Sequence, residues 1–166
     1  LARSGQLARA EVFAGRSLKI LEKIYPADDP ALLRPLQNLS CFQFEQRKTV
    51  MVRQTFQRML AIRTSSPADR ALVHGTAAAL LQAEGRFKEA EPEYLSAVAA
   101  WEESGRGETA DAAAVLDGLG TLYILDKRYK EAGRTLDHAL AIVTSAKDAV
   151  PTDRIKLFNT RSVLHA

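Results

Sequence analysis

Apolar and small side chains recur along this chain at spacings of four, three and one residue. Ala10, Ala14, Ser17 and Leu18 set the first such tail, and Val52, Phe56, Met59 and Leu60 the second. Ala90, Tyr94, Ala97 and Val98 set the third, and Ala132, Leu136, Ala139 and Leu140 the fourth. Residues three and four apart share a helical face, so each tail predicts an amphipathic helix with one packed stripe. The tails are offset by 42, 38 and 42 residues, which marks an internal repeat. Runs of Val, Ile, Thr and aromatic residues that would form strands are nearly absent.

Turn signals precede these helices. Gly5-Gln6-Leu7, Gly85-Arg86-Phe87 and Lys127-Arg128-Tyr129 each read as a chain reversal followed by a large apolar side chain. Arg47-Lys48-Thr49 departs from that form, so the second unit is the irregular one. Asp29-Pro30 and Ser66-Pro67 pair an N-cap with a proline at the first helical position. Helices are predicted over about 7–23, 30–44, 47–64, 67–83, 87–103, 109–125, 129–147 and 152–165, with residues 1–4 as the last turn of an earlier helix. Pro35 is expected to bend the second of these, while Pro92 falls in opening turns where a missing N–H costs least.

Each tail helix has a first helix before it. Leu116-x2-Leu119-Gly120-x2-Tyr123, followed by Ala132-x3-Leu136-x2-Ala139, resembles the tetratricopeptide pattern, and Leu36-x2-Leu39-Ser40 and His74-x2-Ala77-Ala78-x2-Leu81 repeat its first half. Common units of that family are 34 residues long, so offsets of 42 lengthen each helix pair by about 12 Å in total. The long spacing, with Glu89-Ala90-Glu91-Pro92-x-Tyr94 and Ala27-Asp28-Asp29-Pro30, resembles the kinesin light chain type. The resemblance implies an all-α fold, a right-handed superhelical stack of antiparallel helix hairpins with seven to eight helices. The expected organisation is one repeat domain over 1–166, with units near 1–28, 29–66, 67–107 and 108–150 and a final helix at 151–166. Half a hairpin at each end suggests a piece of a longer array or a polar end cap. Arg161 stands where earlier units place Leu39 or Leu119, which favours a cap.

Composition changes little in this picture. Of 166 residues, 46% are hydrophobic and 26% charged, as in folded globular chains. A net charge of +3, from 23 basic and 20 acidic residues that read as scattered, does not suggest a nucleic-acid binder. No stretch is long and apolar enough to span a membrane, so neither nucleic acid nor membrane is an expected partner. A cytoplasmic location is the default expectation. The one cysteine, Cys41, allows no internal disulfide and reads as a small packing residue.

Catalytic signatures are missing from the pattern. His74, His138 and His165 are far apart, and His74 falls on a core position of the repeat. Gly105-Arg106-Gly107 is too short to cradle phosphate and follows no strand. Glu89, Glu91 and Glu93 read as a solvated face, and the Asn38-Leu39-Ser40 sequon lies mid-helix. Neither an enzyme nor a cofactor is expected, and no metal site.

Function is then expected from surface shape. In the family the first helix of each pair lines the concave face, which holds extended peptides. Carried over, that face comprises Arg34, Gln37, Asn38, Cys41 and Phe44 in the second unit, and Leu72, Gly75, Ala79 and Gln82 in the third. The fourth unit gives Ala114, Asp117, Thr121 and Ile124, and the last helix Lys156, Asn159 and Val163. Light-chain-type repeats carry asparagines on this face. Asn38 matches one, but its equivalents are Thr76 and Gly118, so the amide ladder is mostly lost. The expected role is a protein- or peptide-binding scaffold. Its alternatives are a homo-oligomer formed through terminal helices, along Val12, Leu18 and Leu21, and a regulatory sensor module of a larger protein.

Overall fold

The computed structural model describes residues 2–145 and 151–163, with side chains described over 5–145 and 157–163. The described residues form eight α-helices and no strand: α1 (Ala2–Leu21), α2 (Leu33–Glu45), α3 (Thr49–Ala61), α4 (Pro67–Ala83), α5 (Phe87–Glu103), α6 (Ala110–Leu125), α7 (Tyr129–Ser145) and α8 (Pro151–Ser162). Helices α2/α3, α4/α5 and α6/α7 pair as hairpins. The first helices α2, α4, α6 and α8 also touch in succession, and α3, α5 and α7 each pack between two of them. The result is a two-layer stack. The parts of the predicted helices at 146–147 and 164–165 lie outside the described residues.

Three boundaries differ from the sequence reading. Gly5 forms no turn, because α1 runs unbroken through it from Ala2. One glycine inside a helix costs about 1 kcal/mol, which does not stop a helix of this length. Pro30–Leu32 form a single 3-10 turn capped by Asp29, whose carboxylate accepts from the Ala31 N–H at 2.8 Å. The α-helix starts only at Leu33, which places Pro35 in its first turn and leaves no hydrogen bond for the ring to break. Finally, Arg47 is no exception among the turns. It takes φ +58°, beside +74° at Gly85 and +61° at Lys127. In each turn this residue's N–H bonds three residues back and the next N–H five back: Arg47 to Phe44 and Lys48 to Gln43, Gly85 to Gln82 and Arg86 to Leu81, Lys127 to Ile124 and Arg128 to Tyr123. These are Schellman closures, and they satisfy the last carbonyls of the first helix in each hairpin.

Between helices, small residues set the distance and large ones fill it. Ser40, Ala78 and Gly120 occupy one position of successive units, all buried. A Cβ on Gly120 would lie 2.6 Å from the Leu136 side chain. Ala90, Ala97, Ala132 and Ala139 face the hairpin seams with no exposed surface. Around them Leu32, Leu33, Leu36, Met59, Trp101, Leu122, Leu136 and Ile142 are fully buried, each worth about 1.5–3 kcal/mol of burial. The core is continuous in kind but divides into three clusters, one beneath each successive junction. In α8, Leu157 enters the last cluster while the Arg161 Nε donates to Asp137 of α7 at 2.6 Å.

An ion pair recurs at each junction. Glu11, Arg53 and Glu91 are equivalent positions of α1, α3 and α5, and each reaches the turn of the following hairpin. Glu11 accepts from Lys48 and Gln46, Arg53 pairs with Glu84, and Glu91 accepts from Arg128 at 2.8 Å and from the Tyr123 hydroxyl at 3.0 Å. The guanidinium of Arg128 also lies 4.4 Å from the Tyr123 ring centroid. Of the acids expected on a solvated face, Glu89 is exposed and pairs with exposed Arg86, whereas Glu91 and Glu93 are half-buried and pair with Arg128 and His74. The charge of Arg128, with the Tyr123 hydroxyl, holds the Glu91 carboxyl below the usual carboxylate range against the opposing effect of burial.

Two predictions follow from these junctions. Replacing Lys127 by glycine removes the left-handed strain and should stabilise the chain by about 0.5–1 kcal/mol, raising Tm by about 2 °C, whereas Gly85→Ala should lower it comparably. A group with a depressed folded-state pKa contributes above its unfolded pKa and loses that contribution as pH falls through the folded value. Glu91→Gln should thus cost about 1 kcal/mol at pH 7, and its difference from wild type should shrink below about pH 4. Urea denaturation of both proteins at pH 7, 5, 4 and 3 measures this, and a difference independent of pH would count against the assignment.

Candidate functional site

The first helices α2, α4 and α6 line a concave groove of about 460 Å³, to which α8 contributes Thr160. They lie on this face because each keeps its buried stripe for the second-helix layer and turns the positions between to the inside of the stack. The predicted residues Gln37, Cys41, Phe44, Gly75, Ala79, Gln82, Asp117 and Thr121 all line it, as do Leu72 and Ala114.

Other predicted residues lie elsewhere. Asn38 and Asn159 are exposed and outside the lining. Ile124 is half-buried against the second and third core clusters. Val163 is exposed on the last turn, and the side chain of Lys156 lies outside the described residues. Arg34 is not a free groove contact. Its guanidinium makes a bidentate pair with Asp111 of α6 at 2.8 and 3.0 Å and also donates to Gln37 at 3.2 Å. Cys41 is exposed rather than packed, because its position faces the groove and not the seam. His74 is half-exposed, with Nδ1 2.7 Å from Glu93 of α5, and is not a core residue.

The floor has its own architecture. Tyr94 reaches from α5 between α4 and α6, and its hydroxyl donates to the Gln82 side chain at 2.5 Å. Burial, with the nearby charge of Asp117, pushes its phenol well above the usual range, so it stays protonated. A Cβ on Gly118 would fall 2.6 Å from the Tyr94 hydroxyl oxygen, and one on Gly75 3.3 Å from Val115. Crowding between helices therefore accounts for these two glycines. It does not account for Ala79, Ala114 or Thr121, which leave open volume. Asp117 brings a carboxylate to the floor at 6% exposure.

Near the start of α2, Trp101 is 1% exposed and two guanidiniums approach its ring, Arg106 at 5.1 Å and Arg34 at 6.0 Å from the centroid. Arg106 also reaches Asp111, at 3.4 Å. The sequence reading missed Trp101, Tyr94 and Asp111 as groove residues. Tyr94 was placed in the seam by its repeat position, and Trp101 is the chain's only tryptophan, which was the available signal. At the other rim Phe44 stands 42% exposed. Among the described residues no group of three or more His, Cys, Asp or Glu could hold a metal ion, and no helix is long and apolar enough to cross a membrane.

This arrangement is matched elsewhere. Residues 69–145, which cover nearly all of α4 through α7, match the family model described as Tetratricopeptide repeat. The crystal structure of BtubC (BKLC) from P. vanneervenii superposes with a TM-score of 0.67 at 19% sequence identity, over 96% of this chain and 65% of that one. At that identity the likeness is one of fold, and the chain spans 65% of that protein's length. Comparison with curated proteins finds no match.

The contact between Gly118 and Tyr94 gives a direct test of the floor. Gly118→Ala should force the tyrosine ring aside, cost about 1–3 kcal/mol and break the Tyr94–Gln82 hydrogen bond. Denaturant unfolding, together with a shifted Tyr94 ring resonance, measures both.

Proposed function

We propose that this chain, a member of the tetratricopeptide repeat family, holds an extended segment of a partner protein in its concave groove. Tetratricopeptide repeats generally mediate protein–protein interaction. The observation that carries the reading is the open strip over Ala79, Ala114 and Thr121, bordered by Gln37, Gln82 and the exposed ring of Phe44. Small side chains admit a peptide backbone close to the helices. Amides on either side can donate to and accept from its N–H and C=O groups, and Phe44 supplies an apolar anchor at one rim.

The lost asparagine ladder bears on how the peptide is held. At the Asn38-equivalent positions, the Thr76 hydroxyl donates to its own helix at Leu72 O (2.8 Å), and Gly118 offers no side chain. Backbone recognition would rest on Gln37 and Gln82 instead. Gln82 already accepts from Tyr94, which fixes its amide and leaves the NH2 to donate. In this reading the chain is a binding module without catalytic groups.

A peptide array probed with the purified chain, followed by isothermal titration of the hits, tests this. Hits that occupy the groove should weaken at least about tenfold with Ala79→Tyr, which fills the strip, and several-fold with Gln37→Ala. Hits that bind Ala79→Tyr as tightly as wild type would show that the groove is not the binding site.

A further inference from the structure

One ion pair at the groove joins two helices that the stack itself leaves apart. Arg34 and Asp111 sit in the first turns of α2 and α6, first helices two units apart. Each of these helices packs on α4, which lies between them, and they scarcely touch each other. The bidentate pair, at 2.8 and 3.0 Å, therefore spans two junctions, whereas the pairs of Glu11, Arg53 and Glu91 each span one. Curvature in a stack of hairpins is the sum of small rotations at successive junctions, so a contact across two of them constrains more of it. Both α2 and α6 line the groove, so their separation sets its width.

The pair has the makings of an exchange. Two guanidiniums meet Asp111 at the same oxygen, Oδ2: Arg34 Nη2 at 2.8 Å and Arg106 Nη2 at 3.4 Å. Arg34 comes from 77 residues away, and Arg106 from five residues away in the loop that leads into α6. One carboxylate cannot neutralise two guanidiniums, so the two compete for it. Neither partner is stranded when Arg34 lets go. Asp111 keeps Arg106 and the positive end of α6, in whose first turn it lies. Arg34 keeps the Gln37 side-chain oxygen on its own helix, at 3.2 Å, and the Trp101 ring at 6.0 Å. Arg34 also lies in the first turn of α2, where the helix dipole disfavours a cation. The Arg34 and Asp111 side chains are 38% and 34% exposed, so water and salt reach the pair.

We propose that Arg34 and Asp111 form a latch across the groove, in which Asp111 passes between Arg34, which draws α2 and α6 together, and Arg106, which releases them. With Arg34 engaged, the two helices are held at their present separation. With Arg106 engaged, the stack relaxes and the groove widens, so an extended segment enters more easily. That effect on a ligand rests on the groove reading given above. A partly exposed pair of this kind shifts such an equilibrium by at most about fivefold, so both states stay populated.

The test reads the separation directly and needs no peptide. Cys41 is the chain's one cysteine. In a Cys41→Ser background, nitroxide labels at Asn38→Cys of α2 and Leu125→Cys of α6, both exposed positions, report the distance by double electron–electron resonance. Raising NaCl from about 0.05 to about 0.5 M should populate a longer distance. Arg34→Gln should favour the longer distance already at low salt and remove the salt response. Arg106→Gln, which takes away the competitor, should do the opposite and sharpen the shorter one. The salt response uses the unaltered pair, so it decides the matter even where a variant unfolds. Its absence would overturn the latch. So would an unchanged distribution in Arg34→Gln, or a longer distance in Arg106→Gln, since Arg106 would then brace the pair and not compete for it. Array peptides weakened by Ala79→Tyr should bind Arg34→Gln about two- to fivefold more tightly than wild type. An equal or higher Kd there would overturn the regulatory role. Peptides indifferent to Ala79→Tyr would instead sink the groove reading and leave the latch to stand or fall on the distances.

Discussion

In α6 the backbone at Gly120 comes so close to Leu136 of α7 that a single added methyl group would sit 2.6 Å from the leucine side chain. That approach, met at the same position by Ala78 and Ser40 in the earlier units, is the constraint on which the rest depends. It allows two helices to share one seam, and the seam is too narrow to bury everything apolar on either of them. The remaining surface is covered by the next hairpin, which is why the molecule stacks. The Schellman turns at Arg47, Gly85 and Lys127 serve the same end, since they reverse the chain within three residues and keep the paired helices in contact along their length.

Once stacking is set, the groove follows from what it leaves over. The first helices spend one face on the seam and present another to the inside of the stack, so the groove is lined by residues that the core does not use. Two of its glycines are nonetheless core residues in disguise. Gly118 makes room for Tyr94 and Gly75 for Val115, while Ala79, Ala114 and Thr121 leave the volume that a ligand could enter.

The electrostatic pattern has a similar logic. Glu11, Arg53 and Glu91 each tie a second helix to the next turn, although the sign of the charge changes from unit to unit. What persists is the complementarity and not the residue. Each pair is partly exposed and modest in energy, but each joins the same two elements, so together they favour one stacking register over a slipped one.

The repeat itself was legible in the sequence. Four tails with one spacing, and offsets of 42, 38 and 42, determine eight helices and their pairing, because a helical stripe can be read from periodicity alone. Ten of the groove residues were also legible, since which side of a helix faces its partner fixes which side does not. Tertiary structure decided the rest, wherever a side chain's fate depends on a neighbour distant in sequence. Arg34 is tied by Asp111, 77 residues away. His74 meets Glu93, Cys41 is open rather than packed, and Arg47 adopts a glycine's conformation because its hairpin closes around it. Local pattern gives each helix its apolar stripe, but only the assembled stack determines what covers it. That is why Leu18 and Leu21, expected on an open face, are buried and half-buried against α2.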